Sequence, residues 1–395
     1  MKKVLIASTA LVAAGLMTAG TAQASEKIKL NLGGFSKWWV VGQWNDSDIQ
    51  KGGTRDYNSV DVKGDNEIYF GGSTTLDNGM KVGIQIEMEA GGHTETSQGG
   101  DVIDESYIFV ETGFGKFIVG SENNGTYLLH VMAPDAAGNW GEGGIMTGGF
   151  AVAKPTNVSI VTPLGSGNNT TAIVTDGDAE GITYVAPTFY GLTVGGSYKP
   201  SVTEDDRGLT DLDSNAGEVF GAAALYANTF GGVGFKLSAG WATYDLTTTS
   251  DATGTVSVGD STVNEYAFGT QLAYAGFTLG GSYRQVEGIR QTTSATTLED
   301  TADAKAWDVG LQYATGPYAV SLAYFRSEAN GDVTYAGEDK ITFYQASGKY
   351  ALGPGVDVLA SIGYAEYEDE RPKTGTNDAD YNDGWTVMTG MSLSF

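Results

Sequence analysis

The sequence predicts an all-β chain, a transmembrane antiparallel β-barrel of about 16 strands with long external loops and one loop folded into the lumen. Three observations predict it. The N-terminus reads as an export signal with no apolar stretch behind it long enough for a membrane helix. Period-two segments of bilayer-spanning length recur along the whole chain. The connections between them alternate strictly between short and long.

The export signal comes first. Lys2 and Lys3 precede the apolar Val4–Leu16 stretch, and Ala22-Gln23-Ala24 is an A-x-A cleavage site. Residues 1–24 are therefore expected to be a secretory signal peptide and 25–395 the barrel domain. No later stretch approaches the ~18 apolar residues of a spanning helix. The chain has 58 Gly, 21 Tyr, 8 Pro and no Cys, so disulfides contribute nothing and closure must supply stability. The formal net charge is −26, and it becomes more negative without Lys2 and Lys3. That charge excludes nucleic acid as a partner and favours cations.

The strands follow in order. Successive side chains of a strand point to opposite faces, so a membrane strand alternates apolar with small or polar residues. Ile28–Trp44 places Leu30, Leu32, Trp38 and Val40 on one face; Asn66–Leu76 follows. Asp77-Asn-Gly79 is a hairpin signal, and the next strand sends Val82, Ile84, Ile86 and Met88 outward and Lys81, Gln85, Glu87 and Glu89 inward. Further pairs are Glu105–Thr112 with Lys116–Glu122, Gly181–Ala186 with Leu192–Lys199, and Glu218–Asn228 with Val233–Asp245. Val263–Tyr274 pairs with Phe277–Val286, Lys305–Tyr313 with Tyr318–Arg326, and Lys340–Ala351 with Val356–Tyr367. Gly384–Phe395 closes the set, with Trp385, Val387, Met391, Leu393 and Phe395 on its apolar face. Short turns at one end and long, acidic loops at the other are the pattern of an outer-membrane barrel. A soluble sandwich has no reason to sort its loop lengths this way.

The longest connection, Asn123–Glu180, is the candidate constriction. Tyr127–Met132 is apolar, and Trp140, Ile145, Met146 and Phe150 follow among glycines, which suits packing inside a lumen too wide for side chains to fill. Inward basic candidates are Lys37, Lys81, Lys116, Lys236, Arg284 and Lys349; inward acids are Glu67, Glu87, Glu105, Glu111, Glu265, Asp308 and Asp357. The pore-constriction set chosen from these is Asp135 and Glu142 on the loop, facing Lys37, Lys81 and Glu87, with Arg284. Gly33, Gly34, Gly42, Gly71, Gly72 and Gly83 are read as a small outward sector where neighbouring barrels meet.

Together the signal, the strand series, the long third loop and the terminal Phe395 resemble a Gram-negative general diffusion porin. The Ala186-Pro-Thr-Phe-Tyr-Gly-Leu192 hairpin followed by Gly195-Gly-Ser-Tyr198 is similar to the alphaproteobacterial branch. The resemblance implies a homotrimer of 16-stranded barrels in the bacterial outer membrane, a constriction made by the third loop, and Phe395 as the signal read by the barrel-assembly machinery. This chain lacks the arginine row that such porins set against the acids of the loop. The acidic excess predicts a water-filled, cation-preferring channel for ions and small hydrophilic solutes.

Membrane lipid and lipopolysaccharide are the other expected partners. Glu368, Asp369, Asp378 and Asp380 are metal candidates for loop-bound Ca²⁺, though no EF-hand spacing specifies it. No cofactor is expected. The rival reading is a sugar-type selective channel with an aromatic slide from Trp39, Tyr69, Tyr107, Phe109 and Tyr244. A third is an adhesin or phage receptor using the loops. An enzyme is not expected: His93 and His130 are the only histidines, and neither a Gly-x-Ser-x-Gly elbow nor a His-Glu-x-x-His motif occurs.

Overall fold

In the computed structural model the alternating segments close on themselves. It describes residues 27–45, 58–91, 103–141, 144, 147, 151–155, 158, 169–175, 177–202, 216–246, 249–250, 257–258, 261–288, 290–292, 299–300, 303–330, 337–370 and 380–395. The signal peptide over 1–24 lies outside these residues. The barrel strands are β1 Asn31–Asn45, β2 Val60–Thr75, β3 Lys81–Glu89, β4 Ile103–Thr112, β5 Gly115–Ser121, β6 Glu180–Val185, β7 Leu192–Ser201 and β8 Ala216–Phe230. They continue as β9 Val233–Leu246, β10 Ser261–Tyr274, β11 Phe277–Glu287, β12 Ala304–Thr315, β13 Tyr318–Ala329, β14 Asp339–Gly353, β15 Val356–Glu368 and β16 Tyr381–Ser394. Each pairs antiparallel with its sequence neighbours, and β1 pairs with β16. Closure leaves no unpaired edge, so every spanning backbone group is satisfied without water. No helix of the described residues is long and apolar enough to cross a membrane.

The outward rows are those the alternation predicts. Trp38, Val40, Leu237, Trp241, Val309, Leu311, Val320, Leu322, Val387 and Met391 are exposed on the outer wall. Aromatic pairs mark both ends of this band. Phe277 with Tyr313 (4.5 Å) and Tyr318 with Tyr350 (4.9 Å) lie toward the turns, and Tyr364 with Trp385 (5.1 Å) toward the loops. Phe395 closes the seam through reciprocal backbone hydrogen bonds with Gly34, each 3.1 Å.

Two expectations change. Gly33, Gly71 and Gly83 face the lumen, because Gly83 shares its face with Lys81 and Gln85 and a Cβ on Gly71 would meet the Gln85 side chain. Only Gly34, Gly42 and Gly72 of the supposed small sector point outward. The connections after β9 and β11 are also not purely loop: Thr249–Ser250, Ser257–Val258, Arg290–Thr292 and Glu299–Asp300 form a second, four-stranded sheet. Runs of two or three residues are too short to show a period.

Candidate pore constriction

The connection between β5 and β6 enters the barrel over its lowest wall, since these two strands span only 7 and 6 residues. Asn124 starts the inward course. Its side chain caps the one-turn helix α1, Gly125–Leu128, by accepting from the Thr126 and Tyr127 amides. Buried Lys199 of β7 ties the two ends of the connection together, donating from Nζ to the Glu122 carbonyl (2.6 Å) and the Gly177 carbonyl (3.3 Å).

A track of inward glycines then receives the chain on consecutive strands. A Cβ at Gly195 of β7 would press on Leu129, and one at Gly221 of β8 or Gly240 of β9 would press on Thr126. At Gly269 of β10 a Cβ would overlap the Val131 carbonyl, and at Gly280 of β11 and Gly310 of β12 it would meet Pro134 and Ala133, each at 3.1 Å. Polar side chains beside the track hold the loop backbone. Ser238 Oγ accepts from the Val131 amide (3.1 Å), Gln271 donates to the Met132 carbonyl (2.8 Å), and Asp308 accepts from the Ala133 amide (3.2 Å) and from Trp140 Nε1 (3.3 Å). Each such bond contributes about 1 kcal/mol net, and more where a carboxylate accepts. Further along, Ala137, Ala151, Val152 and Val158 pack on Trp39, Phe325, Phe343, Leu359 and Met388 to form a core inside the lumen.

The returning arm covers the upper wall. Thr171 bonds Ser282 (2.5 Å), and Thr175 bonds Glu265 and Arg284. Beneath it Arg284 and Glu265 form a buried ion pair at 2.5 Å, with Tyr244 donating to Glu265 at 3.0 Å. His130 bonds Thr171 at 3.3 Å; burial, and then the Arg284 charge, press its pKa down to about 4. Burial also lowers Lys154, against the raising effect of Asp339.

The wall left open belongs to β1–β5. Lys37 pairs with Asp65 at 2.9 Å and reaches the Gly138 carbonyl of the loop at 3.3 Å. Lys81 pairs with Glu111 at 3.7 Å. Lys116 lies 4.9 Å from the Phe109 ring and 5.5 Å from the Tyr107 ring. Above them Glu67 accepts from Tyr69, Glu87 from Gln85 (2.8 Å) and Glu105 from Asn123 (2.9 Å). Burial raises the Glu122 carboxyl, and the Lys116 charge partly offsets that.

The structure redistributes the sequence candidates. Lys37, Lys81 and Glu87 lie on the open wall. Arg284 does not, since it is 1% exposed and spent on Glu265 beneath the loop. Asp135 does not face the early strands. It accepts from Ser321 (3.0 Å), Gln345 (3.3 Å) and the Asn139 amide (2.8 Å), which turn it toward β13 and β14. Glu142 lies outside the described residues, as do His93 and Asp378.

The aromatic slide shrinks as well, because Trp39 and Tyr244 are buried under the loop at 1% and 2% exposure. Of the metal candidates, Glu368 pairs with Lys340 at 3.8 Å and Asp380 accepts the Asp369 amide on its backbone carbonyl at 2.8 Å. Asp369 lies with Asp339 and Glu370, carboxylate oxygens within 4.8 Å of one another. Sequence reasoning missed Glu122, Asn123 and the glycine track. A glycine at the same inward level on consecutive strands was the available signal for the track.

Comparison with known proteins agrees with this geometry. A family model described as Gram-negative porin matches residues 7–370. A major outer membrane protein of Pasteurella multocida is 31% identical over 134 residues, which is 34% of this chain and 33% of that protein; the match thus spans about a third of the relative's length. Among solved structures, an anion-selective porin from Comamonas acidovorans is 14% identical, with a TM-score of 0.59 over 93% of this chain and 100% of that one. A trimer form of the outer membrane protein OmpT of Vibrio cholerae is 12% identical, with a TM-score of 0.55 over 94% of this chain and 100% of that one. These two likenesses concern the fold. The family model covers the chain from its N-terminal region through β15, and on it the chain belongs to the Gram-negative porin family of outer-membrane β-barrels.

Proposed function

We propose that this chain is a passive diffusion channel whose aqueous path runs between the inward loop and the β1–β5 wall, and that it prefers cations. The carrying observation is the uneven use of inward charge. Glu265, Arg284 and Asp308 are consumed in holding the loop, whereas Glu67, Glu87 and Glu105 line the other wall with Lys37, Lys81 and Lys116. Carboxylates so placed attract cations and repel anions from a narrow path. Ions and small hydrophilic solutes are the cargo, and the barrel performs no chemistry.

A homotrimer is part of the reading, supported by the trimer form of the structurally similar Vibrio cholerae protein. Phe395, 66% exposed at the seam, is the residue offered to the assembly machinery. The alphaproteobacterial branch rests on the hairpin at 186–192 and the Gly195-Gly-Ser-Tyr198 that follows it.

Reversal potential in a planar bilayer across a salt gradient tests the reading. A stepwise conductance with cation-preferring sign is expected. Anion preference, the property named for the similar Comamonas porin, would transfer control to Lys37, Lys81 and Lys116. No conductance from a folded barrel would overturn the channel.

A further inference from the structure

The inward charges are sorted along the barrel axis as well as around it. Four lysines face the lumen near the turn ends of their strands. Lys81 opens β3, Lys116 is the second residue of β5, Lys236 is the fourth of β9, and Lys349 lies four residues before the end of β14. Lys236 shares its face with Ser238 and Lys349 with Gln345, and both of these hold the loop. Among the described residues the inward strand acids at this level are Glu111 and Asp357. Each pairs with a lysine, Glu111 with Lys81 at 3.7 Å and Asp357 with Lys349 at 3.6 Å. Four lysines against two carboxylates leave the turn side of the lumen net basic.

Further toward the loop ends of the same strands the sign reverses. Glu87 stands above Lys81, Glu105 above Glu111 and Glu122 above Lys116, each about 20 Å along its strand. Glu67, Glu89 and Asp104 join them, with carboxylate oxygens within 4.8 Å of one another. Lys37 on this wall is matched by Asp65 at 2.9 Å. The inward loop marks the boundary between the two levels. Lys236 lies on the turn side of Gly240, which seats Thr126, and Lys349 on the turn side of Gln345, which holds Asp135. The acids gather where the loop leaves the wall, at Glu122.

We propose that this axial order makes the channel a rectifier, passing more current when the external side is positive than when it is negative. The inference rests on the channel reading and adds a direction to it. Short turns face the periplasm, so the acidic level is the external one. A lumen segment lined by carboxylates holds cations, and one lined by lysines holds anions. With the external side positive, cations enter through the acidic level and anions through the basic one. Both move toward the boundary, where ions accumulate, and conductance rises. With the polarity reversed both move away from it, the boundary is depleted and conductance falls. Lys116 and Lys236 set the effect, since Glu111 and Asp357 offset the other two lysines.

The test uses the full-length mature barrel in a planar bilayer, with equal potassium chloride on both sides and single-channel current read at both polarities. The chain has no cysteine, and a Cβ at Gly113 in the β4–β5 turn meets nothing within 4 Å. Gly113→Cys with a bulky impermeant thiol reagent added to one side therefore reports which side is periplasmic. The charges act over about 10 Å at 0.1 M salt and about 3 Å at 1 M. The conductance ratio of the two polarities is therefore expected to be about 1.5-fold or more at 0.1 M and close to one at 1 M. Lys116→Gln with Lys236→Gln should bring the ratio at 0.1 M close to one and raise the cation preference. Lys116→Gln alone should lower the ratio part of the way, and it keeps the test decisive should the double variant not fold.

Equal conductance at the two polarities in 0.1 M salt would overturn the rectifier, and so would a larger current with the external side negative. A wild-type ratio in both lysine variants would overturn it too, by placing the asymmetry outside the basic level. The two readings fail differently. Absence of conductance from a folded barrel rejects the channel and the rectifier together, whereas symmetric conductance with a cation-preferring reversal potential rejects the rectifier and leaves the channel standing.

Discussion

The covered wall of β7–β14 and the open wall of β1–β5 have the same kinds of residue facing inward. Each has acids, basic residues, tyrosine and glycine. They differ in what fills the space over the glycines. On the covered wall it is the loop, with the Val131 carbonyl over Gly269, Thr126 over Gly221 and Gly240, and Ala133 over Gly310. On the open wall it is the wall's own side chain: the Phe109 ring lies over Gly83. A glycine filled from across the lumen draws its neighbouring charges out of water, and Glu265, Arg284 and Asp308 become structural. A glycine filled from the next strand leaves its neighbours Lys81, Gln85 and Glu87 beside the aqueous path. The teaching is that inward orientation makes a charge a candidate, and the filling of the adjacent gap decides its use.

The hardest test of that division is Arg284→Met. It leaves Glu265 buried without its guanidinium, and breaking such a pair costs about 3–5 kcal/mol. The expected result is a large loss in denaturant or thermal unfolding with the reversal potential unchanged. Unchanged stability would mean that water reaches the pair and that the wall is not covered.

His130 comes next. Its folded pKa of about 4 lies below the ordinary histidine value of 6.5, so the unfolded chain takes up the proton first as pH falls. The stabilisation is complete above about 6.5 and is lost as pH drops toward 4. The ring is only partly screened from water, so the loss is on the order of 1–3 kcal/mol. Unfolding measured on either side of that window should show a larger acid penalty for the wild type than for His130→Gln. Equal penalties would place the ring in open water.

Gly269→Ala probes the seat itself. Its Cβ requires the loop to move off β10, and overpacking of this kind costs about 1–3 kcal/mol. Single-channel conductance is the sharper readout, because a displaced loop changes the free cross-section. Gly348→Ala on the outer face is the control: its Cβ would meet only the Ala319 carbonyl, at 3.9 Å, so conductance should stay as in the wild type.

Strand alternation made the barrel legible. All sixteen strands, the outward rows and the inward orientation of the charges chosen on the strands follow from period two, because one face meets lipid along the whole chain. The constriction was legible only in part. That the connection at 123–180 turns inward follows from its apolar residues, but which wall it lies on does not. That depends on matching Val131 to Gly269 and Ala133 to Asp308, contacts separated by more than a hundred residues. Asp135 illustrates the limit. Nothing within the loop says that Ser321 and Gln345 will turn its carboxylate away from the early strands. The glycine track could be read only once the strands had been set in register.

The smallest effect should separate the walls most directly. Glu87→Gln and Glu105→Gln together remove two carboxyl charges from the open wall; Glu265→Gln removes one from beneath the loop. A unit charge about 4 Å from a passing ion in water acts with roughly 1 kcal/mol, and salt screens it beyond about 8–10 Å. The paired open-wall change should therefore lower the preference for potassium over chloride by roughly two- to five-fold. Glu265→Gln lies under Thr175 and beside Arg284, where a permeating ion does not approach. It should lower stability and leave reversal potential where it was. If Glu265→Gln moved selectivity as far as the open-wall pair does, the aqueous path would pass both walls and the loop would be a divider inside the lumen. If neither moved it, selectivity would be set in the acidic external loops before an ion enters the barrel.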